Sequence, residues 1–165
     1  MKKTITLFIL FSIYISTGYS QSYTIKKGYA FTQKVLHGTA MVDLDGNPSG
    51  PNMHTNMFLY IETKGQTMPT IKSVVWDGEL YNSNVYKTEN QIVNVGKRNS
   101  NSQNIILVAS RGSSLWKIEL TPNIGKKISL PASLQNKVIV KGYISNHVFT
   151  YVIDRKIELM RIEGI

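Results

Sequence analysis

Apolar side chains fall on every second position along most of this chain, and that spacing excludes most folds that are not built from β-strands. In residues 115–121 (LWKIELT), for example, Trp116, Ile118 and Leu120 alternate with charged or polar neighbours. Successive side chains of a strand point to opposite faces of a sheet, so this pattern is typical of a half-buried strand. No segment keeps the 3.6-residue period of an amphipathic helix over a helical length.

The same reasoning predicts about ten strands, separated by turn signals such as Asp77-Gly78 and Ser145-Asn146. They are expected at residues 35–44, 57–63, 71–76, 80–86, 92–95, 105–109, 115–121, 138–144, 147–153 and 157–162. Residues 105–109 are continuously apolar, which predicts burial on both faces, whereas residues 96–103 contain no large apolar side chain and are predicted to be a loop. The fold class is therefore all-β. We predict a single antiparallel β-sandwich (immunoglobulin-like, prealbumin-like or jelly-roll-like), with a small barrel as the alternative.

One short segment supports this class independently. Residues 38–48 (GTAMVDLDGNP) resemble the opening hairpin of carboxypeptidase-regulatory-like domains, which are small prealbumin-like β-sandwiches found in many exported bacterial proteins. The resemblance covers about 11 of the 165 residues and rests mostly on turn chemistry. It implies a sandwich and no activity.

The first twenty residues have the layout of an export signal. Lys2 and Lys3 precede a run of apolar residues, and Gly18 and Ser20 supply the small side chains that a signal peptidase reads. The alternative, an uncleaved membrane anchor, would need roughly 20 apolar residues, and the run here is about 11. We therefore predict a signal peptide at residues 1–20, one domain at residues 21–165, and a bacterial protein that is periplasmic or secreted.

Composition narrows the chemistry further. The chain has no cysteine, so disulfides and thiolate metal sites are excluded. Residues 21–165 contain 17 Lys and Arg against 10 Asp and Glu, and most of the excess lies after residue 97. An exported basic protein is expected to meet anionic neighbours such as polysaccharides, lipid headgroups or acidic protein surfaces. Nucleic acid is not an expected partner outside the cytoplasm.

Nine basic residues in predicted turns and on polar strand faces form the candidate ligand-binding patch. They are Lys97, Arg98, Arg111, Lys126, Lys127, Lys137, Lys141, Arg155 and Lys156. If folding brings them together, they could bind phosphate or carboxylate groups, with arginine making two-pronged contacts. The alternative is that they keep exposed strand edges soluble.

Catalytic and metal-binding patterns are weak. His37, His54 and His147 are scattered and do not match a metal-ligand spacing, and the acidic turn near Asp45 fails the spacing of a calcium loop. The Ser-containing segment at residues 111–114 lacks the G-x-S-x-G pattern of a nucleophilic elbow. We predict no catalytic residues, no metal and no cofactor.

Three functions remain compatible with these observations. The first is an exported, non-catalytic binding or interaction protein that docks to an anionic envelope component. The second is an extracytoplasmic hydrolase whose carboxylate pair or histidine is assembled from distant strands. The third is a structural or adhesive subunit that completes its sheet with a neighbour's strand, through residues 138–144 or 157–162.

Overall fold

The computed structural model describes residues 25–36, 41–42, 45, 48–49 and 53–163. The predicted signal segment at residues 1–20 and the imidazole of His37 lie outside these ranges, and residues 38–48 are described only in part. No helix in the described ranges is long and apolar enough to cross a membrane.

The all-β prediction is confirmed. The described residues form twelve strands: β1 (Ile25–Leu36), β2 (Met41–Val42), β3 (Pro48–Ser49), β4 (Met53–Lys64), β5 (Thr70–Trp76), β6 (Glu79–Lys87), β7 (Ile92–Lys97), β8 (Asn104–Val108), β9 (Ser113–Lys127), β10 (Val138–Ile144), β11 (His147–Ile153) and β12 (Lys156–Glu163). A single 3-10 turn at Ala132–Leu134 is the one helical element among them. Both predicted tight hairpins are present, and Asp77, Gly78, Ser145 and Asn146 take the positive φ angles that such turns require.

Eight strands form one sheet in the order β11-β10-β5-β6-β9-β4-β1-β12. Every neighbouring pair is antiparallel except β1 and β12, which are parallel and place Phe31 beside Ile157. This pair departs from the purely antiparallel arrangement expected from sequence. A tight hairpin can join only antiparallel neighbours. β1 and β12 are the first and last of the described strands in the chain, so no hairpin joins them and they are free to pair in parallel.

The sheet curls into a half-barrel around an apolar interior. Its concave face carries the larger core cluster, in which Leu59, Ile61, Trp116 and Ile118 are almost fully buried. The indole Nε1 of Trp116 donates a hydrogen bond to Thr63 Oγ1 at 2.8 Å, so the polar atom of this buried ring is satisfied. Alternation along β4 and β9 directs these side chains inward, as the sequence predicts for residues 115–121.

A second core lies on the convex side, where the β7–β8 ribbon covers β1, β4 and β12. Phe31 stacks on Phe58 with ring centroids 5.6 Å apart, and Tyr60 meets both rings edge-on. Leu107 of the ribbon and Leu159 of β12 complete this cluster. The molecule thus combines both predicted layouts, since the sheet encloses one core as a barrel does and a second layer covers part of its outer face.

Two local predictions need correction. Residues 105–109 are not buried on both faces, because the ribbon packs through one face only and leaves Ile106 and Val108 each 56% exposed. The predicted strand at residues 35–44 contains only the last two residues of β1 and the two residues of β2, and the segment 25–34 of β1 is not predicted as a strand. It becomes one because β4 pairs with it along its whole length.

Candidate functional site

Three of the nine predicted basic residues line one groove at an end of the large sheet. Arg98, Arg155 and Lys156 lie around a concave volume of about 910 Å³ together with Gly28, Tyr29, Asn99, Ser100 and residues 151–154, 157 and 158. We call this the Arg98–Arg155 groove. The groove lies between β11 and β12, at the point along β1 where the contact of β1 with β11 ends and its pairing with β12 begins.

The groove owes its shape to the approach of β11 towards β1. β12 pairs with β1 only from Ala30 onward, so the residues of β1 before Ala30 have no strand neighbour on that side among the residues described. The ring of Tyr151 lies directly against Gly28, where a β-carbon would collide with it. A glycine at this point therefore lets the two strands approach closely.

Backbone contacts bring Arg98 to the groove. Arg98 follows the last residue of β7 and forms an isolated bridge with Leu159 of β12. The next backbone N–H, that of Asn99, donates to the carbonyl of Glu158 at 2.9 Å. Arg155 lies in the two-residue connection between β11 and β12. Two arginines from distant parts of the sequence thereby face one cleft.

The acidic side chains near this groove are each paired with a lysine. Asp154 pairs with Lys137 at 2.8 Å, Glu158 pairs with Lys34 at 3.4 Å, and Asp77 pairs with Lys156. No ion pair to another described residue is formed by Arg98 or Arg155. With five basic and three acidic side chains in this network, its net charge is +2, and the two guanidinium groups remain available to an anion.

Two tyrosine rings border the cleft. Tyr29 and Tyr151 are both half-buried, with one edge packed into a core cluster and the remainder facing the groove. Burial raises the pKa of Tyr151, and a hydrogen bond from the Gly28 backbone opposes that rise only partly. The hydroxyl is therefore protonated at neutral pH and can act as a hydrogen-bond donor.

The other predicted basic residues do not line the groove. Lys137 reaches it indirectly, through its ion pair with Asp154. Lys126 and Lys127 are the last two residues of β9. The Nζ atom of Lys127 lies 3.9 Å from a carboxylate oxygen of Glu79, the first residue of β6. Lys97 ends β7, Arg111 lies in the turn before β9, and Lys141 is exposed on β10. The patch is thus divided, and only part of it converges.

A second cavity, of about 620 Å³, contains the side chains most relevant to a hydrolase. It is lined by His54 and Glu119, together with aromatic and amide side chains. Glu119 is 48% exposed and is paired with Lys117 at 2.6 Å. The carboxylate is therefore occupied by a cation, and the cavity lacks a second carboxylate to act with it.

Metal binding receives no support from the geometry. In the described ranges, no group of three His, Asp or Glu side chains is arranged to hold a metal ion. His54 begins β4 and His147 begins β11, where its Nδ1 lies 2.9 Å from the carbonyl of Ser145.

Among the described residues, Glu62 is the one carboxylate that is almost fully buried, and it was not singled out from sequence. It accepts a hydrogen bond from the Ser110 backbone N–H at 2.9 Å and lies 3.7 Å from the Lys27 ammonium. Burial raises its pKa, but hydrogen bonds from Ser110 and Ser113 and the charge of Lys27 outweigh burial and hold the pKa below its ordinary value. Glu62 thus fastens the turn before β9 and stays ionised.

Comparisons with protein-family models, with curated proteins and with solved structures found no match for this chain.

Proposed function

We propose that this chain is an extracytoplasmic, non-catalytic binding protein that binds an acidic polysaccharide in the Arg98–Arg155 groove. The observation that carries the proposal is the pair of guanidinium groups, without ion-pair partners among the described residues, facing a cleft in which the nearby acids are already neutralised. A guanidinium binds a carboxylate through two parallel hydrogen bonds, so two arginines suit a polymer with repeated carboxylates.

The tyrosines favour a sugar ligand over a simple ion. Tyr29 and Tyr151 offer ring surface and hydroxyl groups beside the arginines, and an amphipathic ring suits a ligand that is partly apolar and partly hydroxylated. Asn99 and Ser100 add polar groups at the rim.

A lipid surface is the weaker alternative. The large apolar side chains that are exposed in the described part of the chain, such as Met53, Ile92 and Val148, do not line the groove. A surface that binds lipid headgroups tightly usually combines its basic residues with apolar side chains that enter the acyl boundary.

The test compares binding of the purified protein to polygalacturonate, to neutral dextran and to anionic phosphatidylglycerol vesicles. We expect binding to polygalacturonate alone, stronger at low salt than at physiological ionic strength, because exposed charge attraction is screened beyond about 8 Å. Arg98→Ala or Arg155→Ala should each weaken it about tenfold or more, since a hydrogen bond to a charged group contributes about 1.5–3 kcal/mol.

Arg111→Ala is the control, because Arg111 is exposed as Arg155 is and has no ion pair among the described residues, but lies outside the groove. It should leave the affinity nearly unchanged. Absence of binding to polygalacturonate at low salt would contradict the proposal. So would preferential binding to the vesicles, or an equal loss of affinity in all three arginine variants.

A further inference from the structure

Strand β11 forms one edge of the large sheet. It pairs with β10 along its whole length, from Val138 beside Ile153 to Ile144 beside His147, and with no strand on its other side among the residues described. Near its end, Tyr151 approaches Gly28 of β1, but the first half of β11 lies beyond that contact. An edge of this kind presents backbone N–H and C=O groups that can pair with another strand.

The turn before β11 identifies which backbone groups face outward. Ser145 and Asn146 form a two-residue turn with φ angles of 47° and 67°, so the flanking pair, Ile144 and His147, is hydrogen-bonded. Hydrogen-bonded and non-hydrogen-bonded pairs alternate along an antiparallel ladder. The N–H and C=O groups of Val148 and Thr150 therefore point away from β10.

Among the described residues, this edge lacks the charged side chains, the proline and the bulge that usually prevent strands from pairing between molecules. Its sequence, HVFTYVI, has no Lys, Arg, Asp, Glu or Pro, and Val148 is 84% exposed. The opposite edge strand, β12, has the sequence KIELMRIE with four charged side chains, and it is bridged by Arg98. Of the two edge strands in the described sheet, β12 carries charged side chains and β11 carries none.

We propose that β11 pairs antiparallel with β11 of a second copy of this chain, centred on Phe149. In this register Val148 faces Thr150 of the second copy through hydrogen-bonded pairs, and the two Phe149 residues face each other as a non-hydrogen-bonded pair. Side chains come closest in such pairs, and an aromatic pair there is favourable. The strand is thus complementary to itself in hydrogen bonding, in side-chain type and in the absence of charge.

Charge repulsion between the two copies is small. Lys141 on β10 is the basic residue nearest to the centre of the edge, because it lies beside Thr150. In the paired sheet both β11 strands lie between the two Lys141 residues. The two β10 strands are then three strand spacings apart, which is about 14 Å at roughly 4.8 Å per spacing. That separation exceeds the Debye length of about 8 Å at physiological ionic strength. The positive net charge of the chain therefore does not prevent two β11 strands from pairing.

The test measures mass by sedimentation over a series of protein concentrations. We expect a reversible monomer–dimer equilibrium. Val148→Lys should raise the dissociation constant up to about fivefold, because it places two like charges diagonally across the new pair. The matched control is Ile162→Lys on β12, where a side chain that is 47% exposed lies on the other edge strand. It should leave the equilibrium unchanged.

Cysteine variants test the register, because the chain has no cysteine of its own. Val148→Cys mixed with Thr150→Cys should form a disulfide-linked dimer under mild oxidation, whereas either variant alone should form much less, because identical positions lie diagonally across the interface. A protein that stays monomeric at all concentrations would overturn the proposal. A dimer equally sensitive to Val148→Lys and Ile162→Lys, or no disulfide in the mixture, would overturn it too.

Discussion

At the scale of single residues, Glu62 is the one acidic or basic side chain in the described ranges that is almost fully buried. It is 1% exposed, yet hydrogen bonds from the Ser110 turn and the charge of Lys27 favour its ionised form. A buried carboxylate with such partners contributes to stability only while it is charged. Its role is to join β4 to the turn between β8 and β9.

Glu62→Gln should therefore destabilise the protein in a pH-dependent way. The pKa of Glu62 in the folded protein lies below the ordinary value of 4.5, so its contribution is fully present above pH 4.5 and is lost as pH falls through the folded pKa. We expect the variant to lose about 1–3 kcal/mol in free energy of unfolding at neutral pH. Urea unfolding at a series of pH values should show this difference shrinking below pH 4.5.

Glu158→Gln provides the comparison, because Glu158 is 47% exposed and pairs with the equally exposed Lys34. Exposed ion pairs contribute about 1 kcal/mol or less, so this change should have little effect on stability. Equal losses in the two variants, or a loss at Glu62 that does not depend on pH, would contradict the role assigned to Glu62.

At the scale of strands, two glycines allow neighbouring elements to pack closely. A β-carbon at Gly142 of β10 would collide with the carbonyl oxygen of Thr70, which is the first residue of β5. It would also touch the ring of Phe149. A β-carbon at Gly28 of β1 would collide instead with the ring of Tyr151. Backbone that is paired in a sheet moves aside less readily than a side chain does.

Gly142→Ala should consequently cost more stability than Gly28→Ala. We expect losses of about 3 and about 1 kcal/mol in the free energy of unfolding, within the range measured for overpacked sites. Lys141→Ala is a suitable control, because Lys141 is exposed beside Gly142 and its truncation adds no atom to the interior. Chemical denaturation of the three variants measures the order, and a Gly28→Ala protein less stable than Gly142→Ala would contradict it.

At the scale of the whole molecule, two apolar cores share strands β1 and β4. Leu59 and Ile61 of β4 face the concave core, whereas Phe58 and Tyr60 face the β7–β8 ribbon. Leu159 of β12 is 1% exposed and packs in the second of these cores. The ribbon is attached to the rest of the protein mainly through this smaller cluster.

Leu159→Ala should loosen the ribbon before it unfolds the half-barrel. Removal of a buried leucine side chain typically costs about 2–5 kcal/mol, and the loss here falls on the convex core. Hydrogen exchange should accelerate more at β7 and β8 amides than at β5 and β10 amides. Ile162→Ala, at a residue 47% exposed, should change neither set. Uniform acceleration across all strands in the Leu159 variant would contradict this division.

Predictions from sequence succeeded where a strand and its turn are adjacent in the chain. The bounds predicted for β10 and β11 are those observed, because Ser145 and Asn146 dictate the hairpin and its register locally. They failed for residues 25–34 of β1 and for the outer face of β8, because burial there depends on which distant strand covers which side. The same holds for the candidate site. Arg98 and Arg155 were identified as basic residues, but their common groove was not.

The sequence by itself determined the all-β class, most strand positions, the tight hairpins and the excess of basic side chains, since all of these follow from period-two alternation, local turn chemistry and composition. Tertiary structure alone decided that β1 lies parallel to β12, that the sheet curls around one core and carries a ribbon over another, and that β11 forms an edge of the large sheet among the residues described. The physical reason is that a strand's alternation specifies which side chains share a face, whereas its neighbours are chosen by packing between segments far apart in the chain.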